Sequence, residues 1–243
     1  MLVEKITISP RYCGPSTSGN GGYVCGRIAR HISGPASIRL YSPPPLETEL
    51  RIEAAEGVVK LLHGSELIGE GCSAELDLTP PLRPSFSEAK EASTSYLGFK
   101  EHSFPRCFVC GPHRDEGDGM RIFAGPTKDN SIVAAPWIVD ASLAGDAQLS
   151  DEFLWAALDC PSGFAVLPVA EDRTVVLGLL SVDIRGSVRA REKCVVIGWP
   201  IHVEGRKRMA GSAVISETGD TVAIGSATWI EVPATAFPGE RMA

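Results

Sequence analysis

Two short motifs have residue types that could form a chemical site. An Asn-Gly-Gly motif at residues 20–22 opens a helix-like stretch, and Asp159 lies at the end of a second one. The first N–H groups of a helix have no intrahelical acceptor, and glycine has no Cβ to block a ligand, so this helix start can stabilise negative charge on a carbonyl oxygen. A carboxylate opposite it can act as a general base or a nucleophile. The two motifs are therefore candidates for one shared site.

The residue pattern of 150–160 predicts a helix, and this helix contains Asp159. Ser150 can cap its N-terminus, the residues that follow are apolar on all sides, and Pro161 and Gly163 should end it. Burial and the C-terminal end of the helix dipole would then both raise the pKa of Asp159, as is typical of functional carboxylates. The alternative is that Asp159 only bonds to the backbone of the turn after it.

A further motif lies in the middle of the chain and reads Cys107-Phe-Val-Cys110-Gly-Pro-His113. The cysteine spacing resembles that of zinc ligands, but a strong structural zinc signature has two such pairs. We therefore expect no metal, and Cys107, Cys110 and His113 are the candidate ligands if zinc binds. A thiol-redox role lacks the βαβ context it usually has.

The elements around these motifs indicate a duplicated unit. Each half has one helix-like stretch, residues 20–32 and 150–160, followed by strand-like runs that alternate apolar and polar residues. The runs are 37–42, 46–54, 57–62 and 66–78 in the first half and 174–188, 193–203, 207–216 and 221–232 in the second. We predict an N-terminal unit at 1–78, a linker at 79–131 with a short helix at 86–98, and a C-terminal unit at 132–243.

Composition excludes several classes of protein. The chain has 243 residues and a net charge of −7, which makes nucleic acid an unexpected partner, and 44% hydrophobic residues are enough for a substantial core. No apolar run approaches the roughly 20 residues of a membrane helix, and no signal peptide is evident. We expect a cytoplasmic protein whose seven scattered cysteines stay reduced.

The helix-opening Asn-Gly-Gly, the acid at the equivalent helix of the other half and the long antiparallel runs resemble the hot-dog thioesterases. The whole chain resembles a tandem, or double, hot-dog protein. The resemblance implies an α+β fold with two long antiparallel sheets, each wrapped around a central helix. It also implies that the two units pair within one chain as separate subunits do in the family, so that their sheets run on into each other.

The resemblance assigns roles position by position. Gly21 and Gly22 match the glycines whose backbone N–H polarises the thioester carbonyl, and Asn20 stands where the family often has histidine. The position nine residues after Asn20 is Ala29, so the first helix has no acid, whereas Asp159 lies nine residues after Ser150. Each half keeps what the other lacks, which implies one composite site between them.

The implied function is hydrolysis of an acyl thioester of coenzyme A or an acyl-carrier protein, with Asp159 as base or nucleophile and Asn20 as a cap or positioning group. Ser181 is a further candidate, as a hydroxyl that positions water. The alternatives are a non-catalytic acyl-CoA-binding or sensor protein, a hot-dog hydratase or dehydratase, and a zinc-dependent interaction module. The poor placement of the five histidines argues against a hydratase.

The expected partners follow from this function. The ligand is a small-molecule acyl thioester, whose phosphates could meet Arg106, Arg114 or Arg121 of the linker. We expect no nucleic-acid or membrane partner, no cofactor apart from coenzyme A as part of the substrate, and a homodimer of tandem chains.

Overall fold

A single long antiparallel sheet dominates the fold. The computed structural model describes residues 2–144 and 148–240, and within them eleven strands form one sheet. The strands are β1 Leu2–Thr7, β2 Ala36–Leu40, β3 Glu49–Ala55, β4 Val58–His63, β5 Glu66–Ser73, β6 Gly125–Pro126, β7 Val133–Ile138, β8 Arg173–Ile184, β9 Lys193–Glu204, β10 Lys207–Ser216 and β11 Thr221–Pro233. The α-helices are α1 Gly21–Ala29, α2 Phe86–Ser93 and α3 Asp151–Phe164.

The strand order shows how the two halves of the chain join. It runs β1-β3-β4-β5-β2-β8-β11-β10-β9-β7-β6, so strands of the first half occupy one side and those of the second half the other. They meet where β2 pairs antiparallel with β8, from Ala36 opposite Val182 to Arg39 opposite Leu179. The expected antiparallel strands are confirmed. They form one continuous sheet, in which the two halves join as the resemblance implied, so an arrangement of two separate sheets is not confirmed.

All eight predicted strand runs coincide with strands of this sheet. The alternating pattern explains them, since Leu50 and Ile52 of β3 are fully buried while Arg51 between them is partly exposed. The structure adds β1, β6 and β7, which the sequence did not predict. Among the described residues no helix is long and apolar enough to cross a membrane.

Helix α3 is longer than predicted. The sequence predicted that it would end at Pro161, but the helix continues through this proline to Phe164. Proline lacks an N–H and usually breaks a helix. Here the Ser162 Oγ donates to the Asp159 carbonyl at 2.6 Å and so supplies a hydrogen bond within the same turn. Asp159 is therefore an interior helix residue, and its predicted position at the C-terminal end of the helix dipole was wrong.

Helices α1 and α3 approach each other closely because α1 has glycine at the contact. A Cβ on Gly22 would lie 2.6 Å from the Trp155 carbonyl oxygen and 2.5 Å from the Asp159 Cβ. A Cβ on Gly26, one turn later, would lie 2.5 Å from the Cα of Glu152. Later residues of α1 thus contact earlier residues of α3, so the two helices are antiparallel. The absence of two side chains brings the α1 backbone within hydrogen-bonding distance of α3 side chains.

The segment between the halves folds against both of them. Ser85 and Glu88 form a capping box at the start of α2, which covers the first part of the predicted 86–98 helix. Further on, the Phe108 N–H donates to the Cys13 carbonyl at 2.8 Å, and the Phe108 carbonyl accepts from the Met120 N–H at 2.8 Å. The buried Phe108 ring packs against Tyr23 of α1 and Phe153 of α3, with ring centroids 6.4 and 6.1 Å away, so the Cys-x-x-Cys loop lies against both helices.

Candidate functional site

A cavity of about 520 Å³ lies where the start of α1, the middle of α3 and the Cys-x-x-Cys loop meet. Its walls are mainly apolar and include Phe164, Leu177 and Trp229. Among its polar lining residues, Asn20 and Asp159 come from the two predicted motifs. A largely apolar cavity with a few convergent polar groups is the usual form of a small-molecule site.

The Asp159 carboxylate joins the two helices at this place. Its Oδ2 accepts a hydrogen bond from the Gly22 N–H at 2.9 Å and another from the Asn20 Nδ2 at 3.0 Å. Its Oδ1 is buried and has no hydrogen-bond partner in the described part of the chain. One oxygen is therefore fixed by the first half of the chain, while the other can still accept a proton.

Burial controls the ionisation of this carboxyl group. Asp159 is only 2% exposed, and its desolvation raises the pKa to about 7, while the hydrogen bond from Gly22 acts in the opposite direction. The raised pKa was predicted, but of the two causes given only burial holds, because Asp159 is not at a helix end. A carboxyl group with a pKa near neutrality can both take up and return a proton.

The groups of the Asn-Gly-Gly motif have three roles: one caps helix α1, two bind Asp159, and one residue lines the cavity. The Asn20 Oδ1 accepts the Tyr23 N–H at 2.9 Å, which is the N-cap bond, while its Nδ2 holds Asp159. The Gly22 N–H is already used by Asp159. Gly21 lines the cavity, and its N–H belongs to the first helical residue, where no intrahelical acceptor exists. Gly21 is thus the better placed of the two glycines to contact a ligand.

Three cysteine sulfurs lie beside Asp159. The Sγ atoms of Cys107, Cys110 and Cys160 are all within 4.8 Å of one another, and all three residues line the cavity. Cys107 and Cys110 were predicted from the sequence as candidate metal ligands together with His113. In the described part of the chain His113 does not belong to this donor group, and its place is taken by Cys160.

Hydrogen bonds shift the acidity of these thiols in opposite directions. Bonds from the thiols of Cys110 and Cys160 lower the pKa of Cys107 well below its ordinary value. Burial raises the pKa of Cys110, and the bond to Cys107 raises the pKa of Cys160. The nearby His102 also lines the cavity, and burial lowers its pKa. A negative charge in the cluster is therefore best held by Cys107.

The structure places the other predicted site residues away from the cavity wall. The Ser181 Oγ donates to the Ser37 Oγ at 2.8 Å across the β2–β8 junction. Arg114 is buried and donates to Asp118 at 2.7 Å, and Arg121 donates to the Arg114 carbonyl. Arg106 is exposed on the loop. None of these four residues is among those that line the cavity in the described structure.

Cys160 and Arg173 also line the cavity, but they were not predicted from the sequence. Cys160 has a visible signal, since it follows Asp159 directly, but nothing in the sequence shows that the linker cysteines meet it. Arg173 begins β8 at the cavity and is the arginine among its lining residues. No pattern distinguishes it from the other arginines, because its position depends on how β8 enters the sheet.

Known structures that share the fold of this chain include proteins named as thioesterases. The tesB protein of Mycobacterium avium subs paratuberculosis has a TM-score of 0.61 at 14% identity, over 95% of this chain and 93% of its own. The acyl-CoA thioesterase II TesB2 of Mycobacterium marinum has a TM-score of 0.57 at 10% identity, over 95% of this chain and 93% of its own. No protein-family model matches the chain, and no curated protein matches its sequence. The resemblance of the chain to thioesterases of this fold is thus confirmed over nearly its whole length, whereas an arrangement of two separate sheets is not.

Proposed function

We propose that the chain hydrolyses an acyl thioester of coenzyme A or of an acyl-carrier protein at one composite site between its two hot-dog halves. The observation that supports this most directly is the contact of Asp159 in the second half with Asn20 and Gly22 of the first, at 3.0 and 2.9 Å. The apolar cavity beside this contact suits an acyl chain. The names of the structures that share the fold point to the same class of reaction.

In this mechanism the substrate carbonyl lies at the start of α1 and a water molecule lies beside Asp159. Oδ1 of Asp159 takes a proton from the water as its oxygen bonds to the carbonyl carbon. The negative charge that develops on the carbonyl oxygen is stabilised by the Gly21 N–H. Collapse of the tetrahedral intermediate breaks the C–S bond, and the proton held by Asp159 goes to the departing thiolate. The products are a carboxylic acid and a thiol.

The role of each residue follows from its contacts. Asn20 and Gly22 fix Oδ2 and so orient Oδ1 towards the substrate, which makes them positioning residues. Arg173, at the cavity, is the arginine best placed for a phosphate of the ligand. The first-half counterpart of Asp159 is Ala29, which has no acid, so we expect a single active site per chain.

The test is thiol release from acyl-CoAs of varied chain length and aromaticity by wild type, Asp159→Asn and Asp151→Asn. Asp151→Asn is a matched control because it is the same substitution in the same helix, at an exposed position in the first turn. We expect Asp159→Asn to lose at least 100-fold in kcat/KM, in line with the roughly 10²–10⁴-fold contribution of a general base. Asp151→Asn should keep the wild-type rate.

Two outcomes contradict the proposal. If Asp159→Asn releases thiol as fast as wild type, Asp159 is not the base or nucleophile. If wild type binds acyl-CoAs without releasing thiol from any of them, the non-catalytic binding protein is the better description. Gly21→Ala tests the oxyanion contact, since its added Cβ would meet only the Leu177 side chain, at 2.8 Å, and should slow turnover without unfolding the protein.

A further inference from the structure

The three cysteines beside the cavity come from two separate parts of the chain. Cys107 and Cys110 lie in the loop between the halves, and Cys160 lies in α3. The Sγ atoms of Cys107 and Cys160 are 3.6 Å apart, and all three sulfurs are mutually within 4.8 Å. All three thiols are free and no more than 7% exposed. Buried thiols rarely converge in this way in a core, because apolar side chains fill the same space without unmet hydrogen-bond donors.

The spacing matches that of thiolates around one metal ion. A Zn–S bond is about 2.3 Å long, so two thiolates of a tetrahedral site lie about 3.8 Å apart. The observed 3.6 Å between Cys107 and Cys160 is close to this edge, and 4.8 Å bounds the other two separations. Thiolate ligands select soft or borderline ions such as Zn²⁺ over Mg²⁺ or Ca²⁺.

Nitrogen donors surround the sulfurs as an outer shell would. The Asn20 Nδ2 lies 3.8 Å from the Cys107 Sγ and 3.9 Å from the Cys160 Sγ. The His102 Nε2 lies 3.4 Å from the Cys110 Sγ. Because the His102 Nδ1 accepts the Phe104 N–H at 2.9 Å, the proton of the neutral ring is on Nε2. His102 is therefore a hydrogen-bond donor to a thiolate and not itself a ligand.

From these contacts we infer that Cys107, Cys110 and Cys160 bind one zinc-class cation through three thiolates. All three residues line the cavity, so the fourth coordination position faces it and is open to water or to a thiol. Such an ion would tie the Cys-x-x-Cys loop to α3 directly beside Asp159. This inference concerns a site that the proposed hydrolysis does not use, and metal binding can be measured whether or not the chain hydrolyses thioesters.

The first experiment is titration of the reduced, metal-free full-length chain with Co²⁺ and Cd²⁺, followed by their displacement with Zn²⁺. We expect one equivalent to bind, with the sulfur-to-metal charge-transfer absorption of a thiolate site. Cys107→Ser and Cys160→Ser should weaken binding by more than about 100-fold, since even the loss of an outer-shell partner usually costs 10–100-fold. Cys72→Ser, which removes the exposed thiol of β5, is the matched control and should bind as wild type does.

A second measurement does not depend on the serine variants folding. Bound Zn²⁺ should slow alkylation of Cys107, Cys110 and Cys160 in wild type and leave the rate at the buried Cys25 and Cys194 unchanged. The inference is wrong if the wild-type chain binds no equivalent of Co²⁺ or Cd²⁺, or if Cys72→Ser loses binding as Cys160→Ser does. It is also wrong if zinc changes none of the three rates, or if mild oxidation of protein incubated with zinc joins Cys107 to Cys160 as readily as in its absence.

Discussion

The glycines of α1 allow a sharp test of the contact between the helices, by Gly22→Ala compared with Gly26→Ala. A Cβ on Gly22 would lie 2.6 Å from the Trp155 carbonyl oxygen and 3.0 Å from the Cα of Ala156. A Cβ on Gly26 would lie 2.5 Å from the Cα of Glu152. Carbon contacts are normally about 3.5–4.0 Å, so either change must push the helices apart by up to roughly 1 Å. The two variants impose the same kind of strain one turn apart.

The expected loss of stability is therefore similar for both. Overpacking a core typically costs about 1–3 kcal/mol, and the blocking atoms here are backbone and Cβ atoms, which cannot rotate away. Alanine regains nearly 1 kcal/mol of helix propensity over glycine. We expect a net loss of about 1–2 kcal/mol in the free energy of unfolding for each variant, measured by urea denaturation with the thermal midpoint as a second readout.

Catalysis should distinguish the two variants. Separation of the helices at residue 22 lengthens the 2.9 Å bond from the Gly22 N–H to Asp159, whereas Gly26 makes no bond to this carboxylate. A hydrogen bond to a charged group is worth about 1.5–3 kcal/mol, which corresponds to a rate loss of roughly 10–150-fold. Gly22→Ala should show this loss in kcat/KM for thiol release, per folded molecule, and Gly26→Ala should not. Equal activity of the two variants at equal stability would refute the positioning role of Gly22.

Three further predictions concern charge and hydrogen bonding around the site. Arg173→Ala should raise the KM for an acyl-CoA but not for the matching acyl-pantetheine, which lacks the nucleotide phosphates, and Arg106→Ala on the exposed loop should leave both values unchanged. The pKa of Asp159 is raised to about 7 in the folded chain, against about 3.9 in an unfolded one. The folded state therefore holds this proton more tightly than the unfolded chain does. In metal-free protein the free energy of unfolding should fall by up to about 4 kcal/mol as the pH rises from 4 to 7. Asp159→Asn should remove this loss, as measured by urea denaturation at pH 4 and 8. Ser181→Ala should cost about 1 kcal/mol of stability, because it removes the hydrogen bond to Ser37, and should leave the rate of thiol release unchanged. A tenfold slower rate would support the predicted water-positioning role instead.

The sequence predicted the parts of the fold that depend on local patterns. Strands such as Lys207–Ser216 follow from alternation along a single stretch, and the N-cap at Asn20 follows from its side chain and the glycines after it. The end of α3 was wrong because Pro161 was assumed to break the helix, whereas the burial of its surroundings and the Ser162 bond sustain the turn. Tertiary packing overrides local preference there.

The candidate site was predictable only where both halves carry a recognisable motif. Asn20 and Asp159 were paired by comparing equivalent helices, and the structure brings them to 3.0 Å. The meeting of Cys107 with Cys160 was not predictable, because it depends on the path of a loop that has no counterpart in either half. Arg173 was missed for the same reason, since its position comes from the register of β8 in the sheet.

The two ends of the α1–α3 contact explain why we expect one site and not two. At one end the Gly22 N–H reaches the Asp159 carboxylate beside the cavity. At the other end Glu152, seven residues before Asp159, is the equivalent of Gly22, and Ala29 is the equivalent of the acid. Glu152 has a side chain where Gly22 has none, and this side chain pairs with Arg30 at 3.8 Å.

This second end therefore has an ion pair in place of a carboxylate that accepts a backbone N–H. Replacing Ala29 with aspartate alone should not create activity there, because Glu152 still blocks the α3 backbone and there is no cap equivalent to Asn20. A duplicated unit that has lost complementary groups from its two copies can keep one catalytic contact and use the other to hold the helices together. In the proposed mechanism the two halves therefore depend on each other for function as well as for packing.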